Sequence, residues 1–416
     1  MDILSVQFWG FVLAAWLAIV IFDGPRSRRL ILLAASAVFL TTLLGGDGVR
    51  MLAARLGALA GFIGLGLLGL PAGRAGARDT AAGRWSFRAW FLVYLAAYVV
   101  LTKPEALPLD DGAALTQFVV QLVGLSYILL RQLHVALDLR NGLTYAIRPL
   151  DAILHLVCFN GLLAGPVQRY PEFSAGLDQL QPARTMDEIL PALSRIMTGL
   201  IKKFVLAAII WEAIDSPRSG VGPMKDPKDF LIAFHLFAVW EYLEFSGYMD
   251  MMIGIGRLLG IHTPENFRRP YLARNTIDFW TRWHITLATW IRDYLFTPLS
   301  IRLGRVTGGR MLLVGFVAYL AAFIVVGLWH EIGWGFFLWG ASQGLALGVV
   351  KVYDGQLRRW FGRKGHQRYM KSRIIRVITT VLTIEYFVLS VGIVLLTIWD
   401  RLDHLILIGD WFASTG

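Results

Sequence analysis

Long apolar runs recur along this chain, and they restrict its possible folds more than any other feature. Each covers roughly 18 or more residues, enough for a helix rising about 1.5 Å per residue to cross a hydrocarbon core of roughly 30 Å. Backbone polar groups in lipid must bond within the protein, so the runs are expected to be helices. We predict an all-α polytopic membrane protein with about eleven transmembrane helices. The runs cover approximately residues 4–22, 29–46, 51–72, 87–103, 113–137, 149–165, 190–213, 230–253, 311–329, 332–353 and 374–399.

The amino-acid composition agrees with insertion into a membrane. Hydrophobic residues make up 56% of the 416 residues and charged residues only 17%, with a mean hydropathy of +0.57. Such values are typical of membrane proteins. The net charge of +11 is spread over many loops, which excludes nucleic acid as a partner because no single basic face results. The single cysteine, Cys158, lies in an apolar run and is expected to be a small buried hydrophobic residue.

Basic and acidic residues alternate between successive loops. Arginines cluster after the first and third apolar runs, whereas acidic residues lie after the second and fourth. The positive-inside rule therefore places the N-terminus outside. The first run has no basic region before it and is expected to be a retained anchor instead of a cleavable signal. The basic residues are Arg26, Arg28, Arg29, Arg74, Arg78, Arg84 and Arg88, and the acidic residues are Asp47, Glu105, Asp110 and Asp111.

The densest basic segment covers residues 357–373 and contains no acidic residue. The positive-inside rule predicts that it is a cytoplasmic loop. One interpretation is that its charges set the topology and bind anionic lipid headgroups. The other is that they receive an acidic partner or a nucleotide-bearing donor. The residues are Arg358, Arg359, Arg363, Lys364, Arg368, Lys371 and Arg373.

Neither an internal repeat nor a Pro/Ser-rich linker divides the chain, so we predict a single membrane domain over residues 1–416. From residue 124 onward polar residues enter the apolar runs. The segment WEYLEFSGYMDM places Glu241, Glu244 and Asp250 within or beside one of them. Because an intramembrane acid costs roughly 2.5–3.5 kcal/mol at a helix centre, it usually faces a bundle interior or water. These acids therefore indicate a functional region.

The segment FWTRWHITLATWIRDYLF, residues 279–296, is unusually polar for its surroundings. If it is one helix, Arg282 and Asp293 share a polar stripe and His284 lies on the far side. The preceding residues 262–276 carry two prolines and several charges. Two interpretations stay open. The segment either enters the membrane against protein walls or a water-filled cavity, or it lies in the interface plane as an amphipathic helix.

Residues 311–350 form an almost continuous apolar run, which as one helix measures about 60 Å, twice what a bilayer holds. The chain must turn near the middle, at GLWHEIGWG, residues 327–335, where three glycines permit the turn and where His330 and Glu331 lie. A lone histidine in such a place is usually structural. Here there are two histidines, His284 and His330, and each lies beside a tryptophan at a break in regular helix. Together they favour a functional site.

Several motifs in this order resemble the membrane-bound O-acyltransferase family: FSGY, PENF, FW-x-RWH, RDY and GLWH. The resemblance covers about residues 124–344 and is to the bacterial branch that acts in alginate O-acetylation and teichoic acid D-alanylation. It implies a helical bundle with re-entrant helices and a central tunnel from a cytoplasmic donor side to an extracytoplasmic acceptor side. Residues 1–123 then supply N-terminal helices, residues 124–344 the catalytic core and residues 345–416 the C-terminal helices.

The resemblance also implies the roles of two histidines. His330 matches the family's catalytic histidine and is expected to be the general base. An imidazole with its reference pKa of about 6.5 is mostly unprotonated at pH 7 and can accept a proton. His284 is expected to bind the thioester carbonyl or to orient the acceptor. Glu331 and Met249 depart from the family pattern and leave the acceptor open. Supporting or tunnel-lining roles are expected for Trp329, Arg282, Trp283, Asn266, Asp293, Arg292, Glu244, Ser246 and Tyr248.

The implied reaction is O-acyl transfer in a bacterial inner membrane, amid membrane lipids. The expected donor is acetyl-CoA or an acyl group on an acidic phosphopantetheine carrier protein. The acceptor is an extracytoplasmic envelope polymer or a partner acyltransferase that relays the group. No bound cofactor is expected, and no metal, because no His or Cys cluster has ligand spacing. The alternative is a transporter or flippase of an envelope precursor, which also needs polar groups and broken helices in the membrane.

Overall fold

The computed structural model describes residues 5–22, 24–45, 48–78, 80–103, 124–215 and 227–398. Helices dominate these residues, which confirms the predicted all-α fold class. Residues 113–123 of the fifth apolar run lie outside the described residues. So do the four acidic residues that were used to predict the topology, Asp47, Glu105, Asp110 and Asp111.

Seventeen α-helices, α1 to α17, lie in the described part of the chain. Two π-helical segments, Ile201–Leu206 and Arg292–Phe296, join α9 to α10 and α13 to α14. The helices are α1 (Val6–Ile21), α2 (Pro25–Leu44), α3 (Val49–Leu67), α4 (Gly69–Ala77), α5 (Ala81–Thr102), α6 (Leu125–Arg140), α7 (Pro149–Val157), α8 (Tyr170–Asp178), α9 (Met186–Leu200), α10 (Ala207–Asp215), α11 (Pro227–Leu259), α12 (Thr276–Trp280), α13 (Ile285–Ile291), α14 (Thr297–Val306), α15 (Met311–His330), α16 (Trp334–Lys371) and α17 (Arg373–Ile398).

Six helical segments in the described part of the chain are long and apolar enough to cross a membrane. They are α2, α3 together with α4, α5, α15, α16 and α17. The predicted number of about eleven transmembrane helices is therefore not confirmed and stays a prediction. The chain forms two compact units. Unit 1 comprises Met1–Met197 and Asp250–Pro264, and unit 2 comprises Thr198–Met249 and Glu265–Gly416.

In unit 1, the prediction of a spanning helix over residues 149–165 is wrong. Helix α7 has nine residues, which is about 13.5 Å and too short to cross a bilayer. At its end, the buried guanidinium of Arg131 donates hydrogen bonds to the carbonyl oxygens of His155 at 2.9 Å and Leu156 at 3.1 Å. The chain then enters a 3₁₀ turn, Phe159–Gly161. Cys158 is buried beside this turn, as predicted.

In unit 2, α15 and α16 form the helical hairpin that the long apolar run predicted, with the turn at residues 331–333. The role predicted for two of its glycines is wrong, because Gly327 and Gly335 lie within the helices. Gly327 instead lets the helices approach closely: a Cβ there would lie 2.1 Å from Phe336 O, and one on Gly340 would lie 2.4 Å from Phe323 O. The glycines therefore serve packing, and the turn needs only residues 331–333.

The basic segment 357–373 is helical, and the prediction of a loop there is wrong. Helix α16 continues to Lys371, interrupted at Gly362, where φ is +61°. Glycine adopts this left-handed region at little cost. Beyond the break the chain folds back, so that the Tyr369 hydroxyl lies 2.9 Å from the Tyr353 hydroxyl and His366 Nε2 lies 2.7 Å from Asp354.

Candidate functional site

Residues 279–296 do not form one helix, so the predicted polar stripe is wrong. Helix α12 ends at Trp280, and α13 begins only after His284, whose φ of +44° and ψ of +50° place it in the left-handed region. A non-glycine residue with positive φ breaks a right-handed helix. Arg282 instead pairs with Asp278, with Nε and Oδ1 2.8 Å apart, while the exposed Arg292 pairs with its neighbour Asp293 at 2.9 Å.

Asn266 holds this break in place and is completely buried. Its backbone carbonyl accepts from the N–H of Ile285 at 3.0 Å. Its side-chain Oδ1 accepts from the N–H of Thr286 at 3.0 Å and from the Thr286 hydroxyl at 2.9 Å. These bonds satisfy the backbone donors at the start of α13. They fix the position of His284, the residue before these two, relative to the PENF segment.

The His284 ring lies in an aromatic environment within unit 2. It is 5% exposed, and the Phe245 ring packs against it at an interplanar angle of 83°, with ring centroids 4.8 Å apart. Its neighbour Trp283 stacks on Phe279 at 5.5 Å and meets Phe387 at 5.1 Å. His284 lies between helices, outside the six spanning segments. Burial, with a smaller contribution from His330, lowers the pKa of its imidazole to about 3, so the ring is neutral at pH 7.

His330 is the last residue of α15 and is exposed. Three aromatic rings surround it: Trp329 at 4.8 Å, Trp339 at 5.5 Å and Phe336 at 6.0 Å between centroids. Trp339 in turn meets Trp280 at 6.2 Å, at the end of α12. The two breaks in regular helix are thus connected through contacts between tryptophan rings.

Trp339 is a residue that the sequence reasoning missed. It is 7% exposed, and its indole N–H has no hydrogen-bond partner among the described residues. A buried indole N–H usually finds a partner. The signal in the sequence was weak, because Trp339 is one of several tryptophans in an apolar run. Its position beside His330 makes it a second potential hydrogen-bond donor at the site.

Two acids of α11, Glu244 and Asp250, have basic partners that the sequence reasoning also missed. In unit 2, Glu244 pairs with Lys203 of the π-helical segment. In unit 1, Asp250 pairs with Arg195 at 2.7 Å. The basic residues in the apolar run 190–213 were the available signal, because an intramembrane cation needs a partner. The two remaining predicted residues of this helix, Ser246 and Tyr248, are 2% and 6% exposed.

Two cavities lie in unit 2. Cavity A, of about 290 Å³, is lined by residues of α16, α17, the start of α12 and the segment before it. Cavity B, of about 260 Å³, is lined by residues of α12, α13, the following π-helical segment, α15 and α16. Neither His284 nor His330 lines them, although Trp280 and Ile285 of cavity B adjoin the site. Cavity A includes Arg274, Thr276, Ala346, Tyr353, Tyr369 and Arg376, and cavity B includes Ile277, Trp280, Ile285, Arg292, Tyr319 and Phe323.

The chain belongs to the membrane-bound O-acyltransferase family, whose model matches residues 88–392. A probable alginate O-acetylase of Pseudomonas fluorescens is 31% identical over 361 residues, covering 84% of this chain and 66% of that protein. A teichoic acid D-alanyltransferase of Streptococcus thermophilus is 29% identical, covering 68% of this chain and 67% of that protein. A peptidoglycan O-acetyltransferase of Helicobacter pylori is 32% identical, covering 51% of this chain and 39% of that protein.

These similarities and the six spanning segments make the protein an integral, multi-pass membrane acyltransferase. They confirm the family that the motifs indicated. They also decide between the two predicted classes of protein, since the family is one of transferases and not of transporters or flippases. The chain spans about two thirds of the length of the alginate and teichoic acid relatives.

Proposed function

We propose that this protein moves an acyl group from a thioester donor on the cytoplasmic side to a hydroxyl group on the other side of a bacterial inner membrane, with its N-terminus outside. The acceptor is an envelope polymer or a partner protein that relays the group. The relatives named for O-acetyl and D-alanyl transfer to alginate, peptidoglycan and teichoic acid support this class of acceptor. The observation that carries the proposal is that two histidines lie at helix breaks in unit 2 that are connected through the ring contacts of Trp339 with His330 and with Trp280.

The proposed chemistry needs one base and one oxyanion donor. The acceptor hydroxyl oxygen attacks the thioester carbonyl carbon while His330 takes the hydroxyl proton. The tetrahedral oxyanion accepts hydrogen bonds from His284 and from the indole N–H of Trp339. When the C–S bond breaks, the leaving thiolate takes the proton from His330. An ester and a free thiol result, His330 returns to its neutral form, and His284 has remained neutral throughout.

A direct test follows the acyl group into the envelope. Envelope polymers are analysed by mass spectrometry from cells that contain the full chain, that lack it, or that carry His330→Ala. We expect ester-linked acetyl or D-alanyl groups only with the unchanged chain. Reconstituted protein is then given acetyl-CoA or a D-alanyl carrier protein to identify the donor. Equal acylation in all three cell lines would overturn the proposal.

Cavity A has the features expected for the donor's phosphopantetheine arm. Arg274 and Arg376 lie at its wall, where they suit a phosphate. The Thr276 hydroxyl is buried and has no hydrogen-bond partner among the described residues, so a polar group of a ligand suits it. Tyr369, from the basic segment 357–373, also lines the cavity. These features support a donor that binds the basic segment and extends its arm into cavity A.

Filling cavity A is expected to weaken donor binding. In Ala346→Phe, the added ring occupies space between α16 and α17. We expect the KM for the donor to rise about tenfold, which corresponds to a loss of roughly 1.4 kcal/mol of binding free energy, while kcat changes less. Initial rates against donor concentration measure this. The matched control is Leu345→Phe, because Leu345 is 50% exposed and does not line the cavity. Equal KM values for the two variants would remove cavity A from the donor path.

Charge reversal in the basic segment separates the two roles left open for it. The residues Arg359, Arg363 and Lys364 are exposed, so their replacement by glutamate disturbs packing little. For an acidic donor or carrier, we expect the KM to rise severalfold and to lose its dependence on salt, because rim charges act mainly on association. Membrane insertion is checked by fractionation and is expected to be unchanged. Donor kinetics identical to those of the unchanged chain would favour binding of lipid headgroups instead.

A further inference from the structure

We propose that Asn266 is a positioning residue that fixes the imidazole of His284 in its Nε2–H tautomer, so that His284 donates a hydrogen bond to the oxyanion and does not act as a base. This inference rests on the proposed acyl transfer and assigns different roles to its two histidines. It is carried by the hydrogen bonds around the Asn266 side chain, all within unit 2.

The orientation of the Asn266 amide follows from its partner Thr286. A backbone N–H only donates, so the side-chain atom 3.0 Å from Thr286 N must be the amide oxygen. The same oxygen accepts from the Thr286 hydroxyl at 2.9 Å. Both acceptor positions of the amide oxygen are then occupied. The amide NH₂ group consequently faces the other way.

The NH₂ group of Asn266 has two neighbours, His284 Nδ1 at 3.2 Å and Met249 Sδ at 3.4 Å. An NH₂ group donates and does not accept, so Nδ1 must present its lone pair to it. Nδ1 also lies 3.3 Å from the amide oxygen, but that oxygen already accepts two hydrogens. In a neutral imidazole with an unprotonated Nδ1, the proton is on Nε2.

The tautomer decides what His284 can do. With the lone pair of Nδ1 used by Asn266, the only other ring nitrogen carries a hydrogen and cannot accept a proton. It can, however, donate to a developing negative charge, as neutral imidazole does when it polarises a carbonyl. The base must then be the other histidine, His330. Asn266 therefore fixes both the left-handed backbone of His284, through its bonds to residues 285 and 286, and the direction in which the ring donates.

The first test reads the tautomer without requiring turnover. The full chain is labelled with ¹⁵N-histidine in lipid nanodiscs, and the His284 signals are assigned by their absence from His284→Gln. We expect the chemical shifts of an unprotonated Nδ1 and a protonated Nε2. A protonated Nδ1 would overturn the inference. Failure of the proposed acyl transfer would leave this result unaffected, so the two ideas fail separately.

The second test uses variants that keep or remove the donor. In His284→Gln, the side-chain NH₂ still donates but no base is possible, so we expect turnover within about tenfold of the unchanged chain, whereas His284→Ala loses about 100- to 1,000-fold, the usual effect of removing one oxyanion donor. If His284→Gln loses as much as His284→Ala, the inference is wrong. His330→Gln, in contrast, is expected to have no measurable turnover.

The third test changes the tautomer through Asn266. In Asn266→Asp, one oxygen still accepts from Thr286, but the second oxygen accepts from Nδ1–H, which moves the ring proton away from Nε2. We expect kcat to fall about 100-fold with the donor KM unchanged. Lowering the pH adds a proton to the introduced carboxylate and the His284 imidazole, which restores an Nε2–H donor. The activity relative to the unchanged chain is therefore expected to rise as the pH falls. A pH-independent ratio, as for a merely structural role, would contradict the inference.

Discussion

Replacement of His330 by alanine is expected to abolish measurable acyl transfer while the protein remains folded and inserted. A general base contributes about a hundred- to ten-thousand-fold to the rate, and no other histidine can replace this one if the tautomer of His284 is fixed by Asn266. Folding should survive because His330 is exposed at the end of α15, so its truncation leaves no internal cavity. Turnover of labelled donor by the reconstituted variant measures the effect.

The matched control is His262→Ala. His262 is also exposed, but it belongs to unit 1 and not to the site. Its variant is expected to keep normal turnover. Near-normal turnover of His330→Ala, with melting temperature and detergent elution equal to those of the unchanged chain, would discard the base assignment. Loss of transfer together with loss of folding would be resolved by His330→Gln, which keeps a side chain of similar size and polarity.

The sequence indicated the two helix breaks because each showed a local conflict. A run of forty apolar residues is too long for one membrane helix, and RWH places a histidine where lipid-facing helix is expected. These conflicts located His284 and His330. The sequence did not reveal that His284 itself is the break, because its positive φ results from long-range bonds to Asn266, and such bonds leave no periodic pattern in the chain.

The failures in the fold have a similar cause. The run 149–165 is apolar enough to span, yet α7 ends early because Arg131, from a different helix, binds its carbonyls. The sequence did not predict the pairs Lys203–Glu244 and Arg195–Asp250, because the two partners of each pair are more than forty residues apart in the chain. Hydropathy gives the location of apolar segments, but polar contacts between helices decide where those segments begin, end and turn.

The glycines of the α15–α16 hairpin were correctly singled out but for the wrong reason, and their substitution gives the second large effect. Glycine in a turn is needed only where φ is positive. Gly333, in the turn, has φ of −165°, which any residue adopts. Gly327, in the helix, is where a Cβ would lie 2.1 Å from the backbone oxygen of Phe336. The packing of the two helices, and not the turn, therefore excludes a side chain.

Gly327→Val is expected to destabilise the protein by about 3 kcal/mol or more, the upper range for overpacking, because a backbone oxygen cannot move aside as a flexible side chain does. Since His330 follows three residues later, separation of the helices should also displace it from Trp339 and abolish transfer. Thermal unfolding in detergent and turnover measure the two effects. Gly333→Ala, whose Cβ meets only Glu331 Oε1 at 3.8 Å, is the control and is expected to be nearly neutral. If the turn glycine proved the sensitive one, the close approach of α15 and α16 would not be what positions His330.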